Sequence, residues 1–398
     1  MSALLRYAGI SGLIGILSNK WLRLFVILYL SISLFILYKI GINIGGEGAK
    51  YIIDANNYLH LKSSERGVFG IFYIVYSLFV ALIIKLGLPY SIIAVIQLIC
   101  SAIAGCALYK TISDITGNRR VGLLGFIFFI TCLTVQQWNY FLYSESLHCS
   151  FIVIAIYYFH KIFVERQNPK TGMFILMLFL VFFSRPVGVI FMVALAITLI
   201  IWLFKNNKRR TGIILSLFGL IVFGLMLQLH WAFYFNPDSL RRMEIICQVP
   251  INGSGVGYTE YNKAGLGEFA KVIVHEIGVG NFLQLGFRKV ASFYSLRRSF
   301  YSTSHNLLLI LTTLLFYPMA IIGMLFYKKP GINYVKLLLL LYIGITSVGI
   351  FFTCDEWSNR FIVPVLPMVI ILACLGIEQI RLGWLKSQQV ITSNKQEL

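Results

Sequence analysis

The stretch "TSHNLLLILTTLLFYPMAIIGMLFYKKPGINYVKLLLLLYIGITSVGIFFT", residues 303–353, decides the fold. It contains two apolar runs, 303–327 and 337–353, joined by a short segment carrying Lys328, Lys329 and Lys336. About 20 consecutive apolar residues wound as a helix cross the hydrocarbon core of a bilayer. A helix is favoured there because it satisfies its own backbone N–H and C=O groups where no water can. The stretch therefore reads as two membrane helices joined by a basic loop.

The same pattern runs along the whole chain of 398 residues. Apolar residues make up 58% of it and charged residues 12%, with a mean hydropathy of +0.81. No soluble domain of this length solvates such a composition. Apolar runs lie near 22–41, 90–110, 121–141, 146–162, 171–184, 187–204, 211–232, 303–327, 337–353 and 361–380, which predicts ten spans. The expected class is an all-α polytopic membrane protein. The pair at 171–204 is short for two crossings and turns at Arg185-Pro186, so it should be thin, tilted or dipped into the membrane face. Residues 4–17 read as an interfacial helix on the cytoplasmic face. No small-residue cleavage site follows them, so no signal peptide is expected.

Charge sets the orientation. Six segments are densely basic: 1–23, 110–120, 161–170, 205–210, 328–336 and the tail from Arg381. They hold 19 of the 34 Lys and Arg residues and, counting Glu378 at the foot of the last span, 4 of the 15 acids. The positive-inside rule places them in the cytoplasm. The formal net charge of +19 thus belongs to short loops facing anionic lipid, and no nucleic-acid partner is expected. The run 69–87 interrupts the count, because a full crossing there would carry every later basic loop outside. Either it lies along the external interface, or the amino terminus is outside and eleven spans cross. We take the first as the expectation. Residues 1–380 then form one transmembrane domain, with 42–89 a first external loop holding a membrane-lying helix. Residues 233–302 form a large external loop with helical pieces at 238–247 and 266–295, and 381–398 form a cytoplasmic tail. The Gly-rich "INGSGVGYTEYNKAGLGEF" at 251–269 lacks the GK[ST] ending of a phosphate loop. Of the seven cysteines, most lie in apolar runs as small hydrophobes. Cys247 and Cys354 fall on the external side, where a disulfide is open to them.

Ionisable groups near membrane depth cost at least about 2.5–3.5 kcal/mol each at a helix centre and mark sites worth reading. Four stand at predicted external helix ends. Asp54, in "YIIDANNYLH" (51–60), is either a cap or solvated loop acid or a reactive carboxylate, with Tyr58 one turn on. Glu145, in "NYFLYSESLHCSF" (139–151), either caps the next helix or faces a cavity. His148, three residues later, reads first as structural. Arg185, in "FFSRPVGVIF" (182–191), has no acid near it in sequence and needs a carboxylate from another helix or a lipid-linked phosphate. Arg360, in "DEWSNRFIVPVLP" (355–367), has Asp355 and Glu356 as alternative partners. Arg297 and Arg298, with Tyr301, Ser302 and His305, form a further basic cluster. Guanidiniums bind phosphate through bidentate, charge-assisted bonds, and a neighbouring carboxylate takes a proton from a sugar hydroxyl. That inventory suits an enzyme with a lipid-phosphate donor.

The segments also resemble, in order, those of bacterial GT-C glycosyltransferases of the protein-mannosyltransferase and aminoarabinose-transferase type. "IIDANNYL…SSERGVFGIFYIVYSLF" is similar to that family's first external loop. Asp54 and Tyr58 match it, Arg66 and Gly67 match in part, and the usual prolines are missing. "YSESL", "FFSRPVG", "SFYSTSHNLLL" and "DEWSNRFIVPVLP" resemble its later motifs. The resemblance implies a GT-C-like bundle of about 10–11 transmembrane helices in a bacterial inner membrane, with the site on the external side. It implies a polyprenyl-phosphate-linked sugar as donor and a glycan, lipid or protein as acceptor. Asp54 would be general base or its partner, and Glu145 would orient the acceptor or hold an arginine. Arg185, Arg360, Arg297 and Arg298 would bind the donor phosphate; Tyr58, His305 and Tyr258 would contact substrate. Some relatives use a divalent metal ion, but no ligand set in this sequence demands one. An O-antigen polymerase or ligase shares the basic bias and the large external loop. A transporter or lipid-linked sugar flippase would show repeat symmetry and mid-membrane charges, which this chain does not display.

Overall fold

A computed structural model describes residues 19–166, 171–207, 210–211, 213, 237–247, 266–329, 332–355 and 358–396. The expected helix at 4–17, nearly all of the span at 211–232, Tyr258 and Glu356 lie outside the described residues. Among the described residues the chain is helical, and its only strand-like pairings are two isolated bridges, Asn43 with Phe141 and Ile246 with Asp355. The polytopic all-α class follows from seven helices that are long and apolar enough to cross a membrane.

The chain divides into two compact units. The first is Met1–Met192, Leu315–Lys336 and Val363–Leu398; the second is Val193–Leu314 and Leu337–Ile362. The helices in chain order are α1 (Lys20–Ile40), α2 (Glu47–Leu59), α3 (Ile74–Lys85), α4 (Ser91–Thr116), α5 (Arg119–Thr131), α6 (Leu133–Gln136) and α7 (Glu145–Phe159). They continue as α8 (Thr171–Ser184), α9 (Gly188–Lys205), α10 (Pro237–Arg241), α11 (Leu266–Lys271), α12 (Val279–Ser295), α13 (Thr303–Phe326), α14 (Asn333–Phe352) and α15 (Leu366–Gln396).

Local chemistry sets several of these boundaries. Asn19 caps α1, its Oδ1 accepting from the Trp21 amide at 3.0 Å, and Asn118 caps α5 in the same way through the Arg120 amide. Each cap satisfies an otherwise orphaned helix N–H. The predicted span 121–141 is broken: α5 stops where Cys132 takes an extended conformation, and α6 with its 3-10 extension to Tyr140 leaves at 56°. Such a break is tolerated at membrane depth only if side chains take up the freed backbone groups. Here the buried Gln97 amide donates to the carbonyls of Trp138, Asn139 and Phe141, and Gln136 donates to the Phe129 carbonyl at 2.9 Å. Helix α8 has 14 residues, about 21 Å at 1.5 Å per residue, short of a roughly 30 Å core. The expected thinness of this hairpin is therefore present in one arm. The run 69–87 is a 3-10 turn followed by the 12-residue α3, also below the length of a span.

In the first unit, α4 packs against α5, α7 and α1; α8 packs against α7 and α3; α2 lies on α3; and α15 packs on α5 and α4. Gly323 of α13 faces α15 at Gly376, and a Cβ on either would run into backbone carbonyls of the other helix. In the second unit, α10, α11 and α12 bury Leu240, Phe269, Val272, Phe282 and Leu285, with Phe351 against them. The disulfide left open by the sequence forms: Cys247 is bonded to Cys354. Beside it the Cys247 amide donates to the Asp355 carbonyl at 2.7 Å, and the Asp355 amide to the Ile245 carbonyl at 2.9 Å.

A candidate active site in the first unit

The segment that follows α1 is pinned to the segment preceding α7. The Asn43 amide donates to the Tyr140 carbonyl at 2.7 Å, and the Leu142 amide to the Asn43 carbonyl at 2.8 Å. The Tyr143 hydroxyl accepts from the Glu47 amide at 3.1 Å. These bonds hold α2 beside the start of α7, and the Tyr51 and Ser144 hydroxyls meet at 2.8 Å. Asp54 of α2 and Glu145 of α7 are thereby carried into one neighbourhood, both almost wholly buried.

Asp54 organises the turn that follows α2. Its Oδ1 accepts from the Ser64 hydroxyl at 2.7 Å and the Glu65 amide at 3.0 Å. Its Oδ2 accepts from Arg66 Nε at 2.9 Å. The turn closes through Gly67, whose φ of +57° falls where a side chain is disfavoured. Arg66 also reaches Glu47 at 3.2 Å, and its guanidinium lies 4.6 Å from the Tyr51 ring and 4.3 Å from the Tyr73 ring. Tyr58 stands one turn beyond Asp54, half-buried, with its phenol pushed up by burial against the opposing effect of the neighbouring Ser64 hydroxyl.

Glu145 opens α7, where a carboxylate favours the helix dipole, and it forms an ion pair with Arg185. Arg185 sits in the turn between α8 and α9. Pro186 ends α8 there, because the residue before a proline is disfavoured in helical conformation. Burial alone would lower the Arg185 guanidinium, but the Glu145 carboxylate together with the Tyr51 and Tyr73 phenols outweighs it and holds the group protonated. One of the two partners open to Arg185 from sequence, the carboxylate of another helix, is in place. Burial, and then the charge of Glu145, push the Tyr51 phenol well above its ordinary range. Tyr73 and Arg185 interact electrostatically as well, so Asp54, Arg66, Tyr51, Tyr73, Glu145 and Arg185 form one polar cluster. Two of its buried N–H groups, Arg66 Nη2 and Arg185 Nε, have no acceptor.

The remaining predicted residues belong to the second unit. Arg298 is buried in an ion pair with Asp355 at 2.7 Å, supported by Ser292, which donates to Asp355 at 2.9 Å. Asp355 is therefore partnered by Arg298. Arg297 is exposed. His305 stacks on Tyr301 with ring centres 4.3 Å apart. Arg360 is half-buried, its guanidinium 5.7 Å from the Phe361 ring.

A further cluster lies near the predicted cytoplasmic ends of α4 and α7. Asp114, His160 and Glu165 place one ligand atom each within 4.8 Å of one another, which is the reach of a metal ion. The Lys161 ammonium occupies the space between them, 2.7 Å from both Asp114 and Glu165. Hydrogen bonds from His160 and Lys161 hold the Glu165 carboxyl down at about 2.

Arg66 is the functional candidate whose part sequence reasoning missed. Its partial likeness to the family loop was visible, but its pairing with Asp54 across 12 residues depends on the turn at 60–66. Comparison with known proteins returns no match to this chain among family models, curated proteins or solved structures.

Proposed function

We propose that this chain is an integral-membrane glycosyltransferase that moves a sugar from a polyprenyl-phosphate donor to an acceptor hydroxyl at the external face. The observation that carries the reading is the polar cluster around Asp54, Arg66, Glu145 and Arg185. A chain with 15 acids in 398 residues commits two of them, buried, with two guanidiniums and two tyrosines to one place at predicted external helix ends. The disulfide between Cys247 and Cys354 supports an external position for the loop that carries it, because disulfides persist in oxidising compartments.

In this mechanism the acceptor oxygen attacks the anomeric carbon as the bond from that carbon to the phosphate oxygen breaks. The bonding pair leaves with polyprenyl phosphate, and the configuration inverts. The hydroxyl proton passes to Asp54. Its Oδ1 accepts two hydrogen bonds and its Oδ2 one, so Oδ2 keeps a free acceptor position. Asp54 is fully buried, so the hydroxyl reaches its Oδ2 when residues 60–63 of the turn move aside while Arg66 stays in place. Arg66 keeps the carboxylate oriented, and Glu145 holds Arg185. The unpartnered Arg66 Nη2–H is the cluster's donor toward charge developing on the departing phosphate. The test is purification of the full chain in lipid nanodiscs and a screen of polyprenyl-phosphate sugars for release of polyprenyl phosphate. Turnover of at least one donor is expected; inertness toward all of them, with intact protein, rejects the reading.

A further inference from the structure

His148 lies on α7 one turn beyond Glu145, and its side chain is buried. Its Nδ1 is 2.7 Å from the Ser184 hydroxyl. That hydroxyl has one proton, and it is given to the Val181 carbonyl at 3.1 Å. The Val181 carbonyl also faces the imidazole. With the hydroxyl proton so placed, both neighbours of Nδ1 are acceptors and the ring proton is assigned to Nδ1. Nε2 is left with a bare lone pair, buried and without a donor.

Arg185 presents the opposite deficit. Its Nη1 is taken by Glu145, while its Nε–H is buried with no acceptor. The two groups belong together. Glu145 and His148 are one turn apart on α7, Ser184 and Arg185 are consecutive, and the pairings Glu145–Arg185 and His148–Ser184 clasp the same two helix ends. The Arg185 charge acts directly on the imidazole. Buried polar atoms in folded proteins are nearly always satisfied, so an unmade donor and an unmade acceptor on these two clasped helix ends call for an occupant.

We propose that His148 Nε2 and Arg185 Nε–H form a subsite for one hydroxyl group of the sugar that this protein binds. A hydroxyl donates to the imidazole and accepts from the guanidinium at once. A phosphate or carboxylate oxygen would suit Arg185 but would set its lone pair against that of Nε2. An ammonium would suit His148 but would be repelled by Arg185. The subsite thus selects a neutral hydroxyl over an anion, and His148 serves recognition without taking a proton. The inference rests on the glycosyl-transfer reading for the identity of the sugar-bearing ligand, and it gives Arg185 a sugar hydroxyl in place of the phosphate expected from sequence.

The test uses the full chain in nanodiscs with ¹⁵N-labelled histidine, the His148 signal being assigned by its loss in His148→Gln. Free protein should show a proton-free Nε2. That signal should move on addition of a polyprenyl-phosphate hexose or a methyl hexopyranoside, and one monodeoxy analogue should fail to move it. Binding of the matching hexose should weaken about 10–100-fold in His148→Phe, equivalent to roughly 1.4–2.7 kcal/mol. It should stay within a few-fold of wild type in His148→Gln, whose amide supplies an acceptor. His148→Phe should not discriminate the monodeoxy analogue. A protonated Nε2 in free protein, an Nε2 held by water alone that no sugar perturbs, or unchanged sugar binding in a folded His148→Phe overturns the subsite. Donor turnover on the same samples separates the two readings. Turnover with a silent His148 removes the subsite alone. No turnover, with His148 still responding to methyl hexopyranosides, removes the transferase reading and keeps the subsite.

Discussion

Asp54 shows what a single residue does in this chain. It was legible in sequence because an acid at a helix end is conspicuous among apolar runs. Its three hydrogen bonds were not, because Ser64, Glu65 and Arg66 return to it only through the turn after α2. Replacing Arg66 by Met leaves Asp54 buried beside no cation. Breaking a buried pair by removing one partner costs about 3–5 kcal/mol, so R66M should lower the unfolding midpoint of the first unit, read by differential scanning calorimetry. An unchanged midpoint would show that the pair contributes nothing. Arg185→Lys should fold, since an ammonium still pairs with Glu145, but it loses the planar fork and the Nε–H. Transfer activity should fall at least about tenfold, for loss of one well-placed bond; near-normal rates would mean that Arg185 only neutralises Glu145. His148 was weighed as structural from sequence, and the one usable signal was its i+3 spacing from Glu145.

At the scale of elements, most helices were legible from apolar length alone: α1, α7, α9, α13 and α14 begin and end close to the expected positions, while α4 runs six residues past its expected end. The break at Cys132 was not legible, because the residues that stabilise it sit elsewhere: Gln97 on α4 serves three carbonyls beyond the bend. Gln97→Leu should therefore destabilise the first unit by about 1–3 kcal/mol, the range for leaving buried acceptors unsatisfied, in an unfolding titration. Equal stability would show that the bend holds without that amide. Helix α12 carries a second buried group invisible to pattern reading. Lys289 has no exposed surface and donates to the Thr353 carbonyl, and burial lowers its pKa from 10.5 to about 8. The unfolded chain keeps that proton up to 10.5 while the folded chain releases it near 8. The group's contribution to stability is lowest below 8 and rises with pH through the window from about 8 to 10.5. The difference in unfolding midpoint between wild type and Lys289→Met should shift in favour of wild type across that window. A flat difference would place the lysine in contact with water.

For the whole molecule, composition alone gave the membrane class, and the basic loops gave an orientation. The disulfide pairs residues 107 positions apart, which no local pattern could reveal beyond the shared side of its two cysteines. Removing such a link costs about 2–5 kcal/mol, so Cys247→Ser should destabilise the second unit and expose a free Cys354 to thiol reagents added outside the cell. On this orientation Arg120→Cys, exposed in the first turn of α5, should react only with reagents that reach the cytoplasm; labelling from outside would invert the topology.

The central claim is that Asp54 takes the acceptor proton during sugar transfer, and one comparison bears on it directly. Polyprenyl-phosphate sugar consumption would be measured for wild type and Asp54→Asn in the same nanodiscs, with unfolding midpoints recorded in parallel. The amide cannot take the proton and sets its NH2 against one of the donors that Asp54 accepts from, so the variant should fold with a lowered midpoint and release no polyprenyl phosphate above background. Wild-type turnover in a folded Asp54→Asn would contradict the claim.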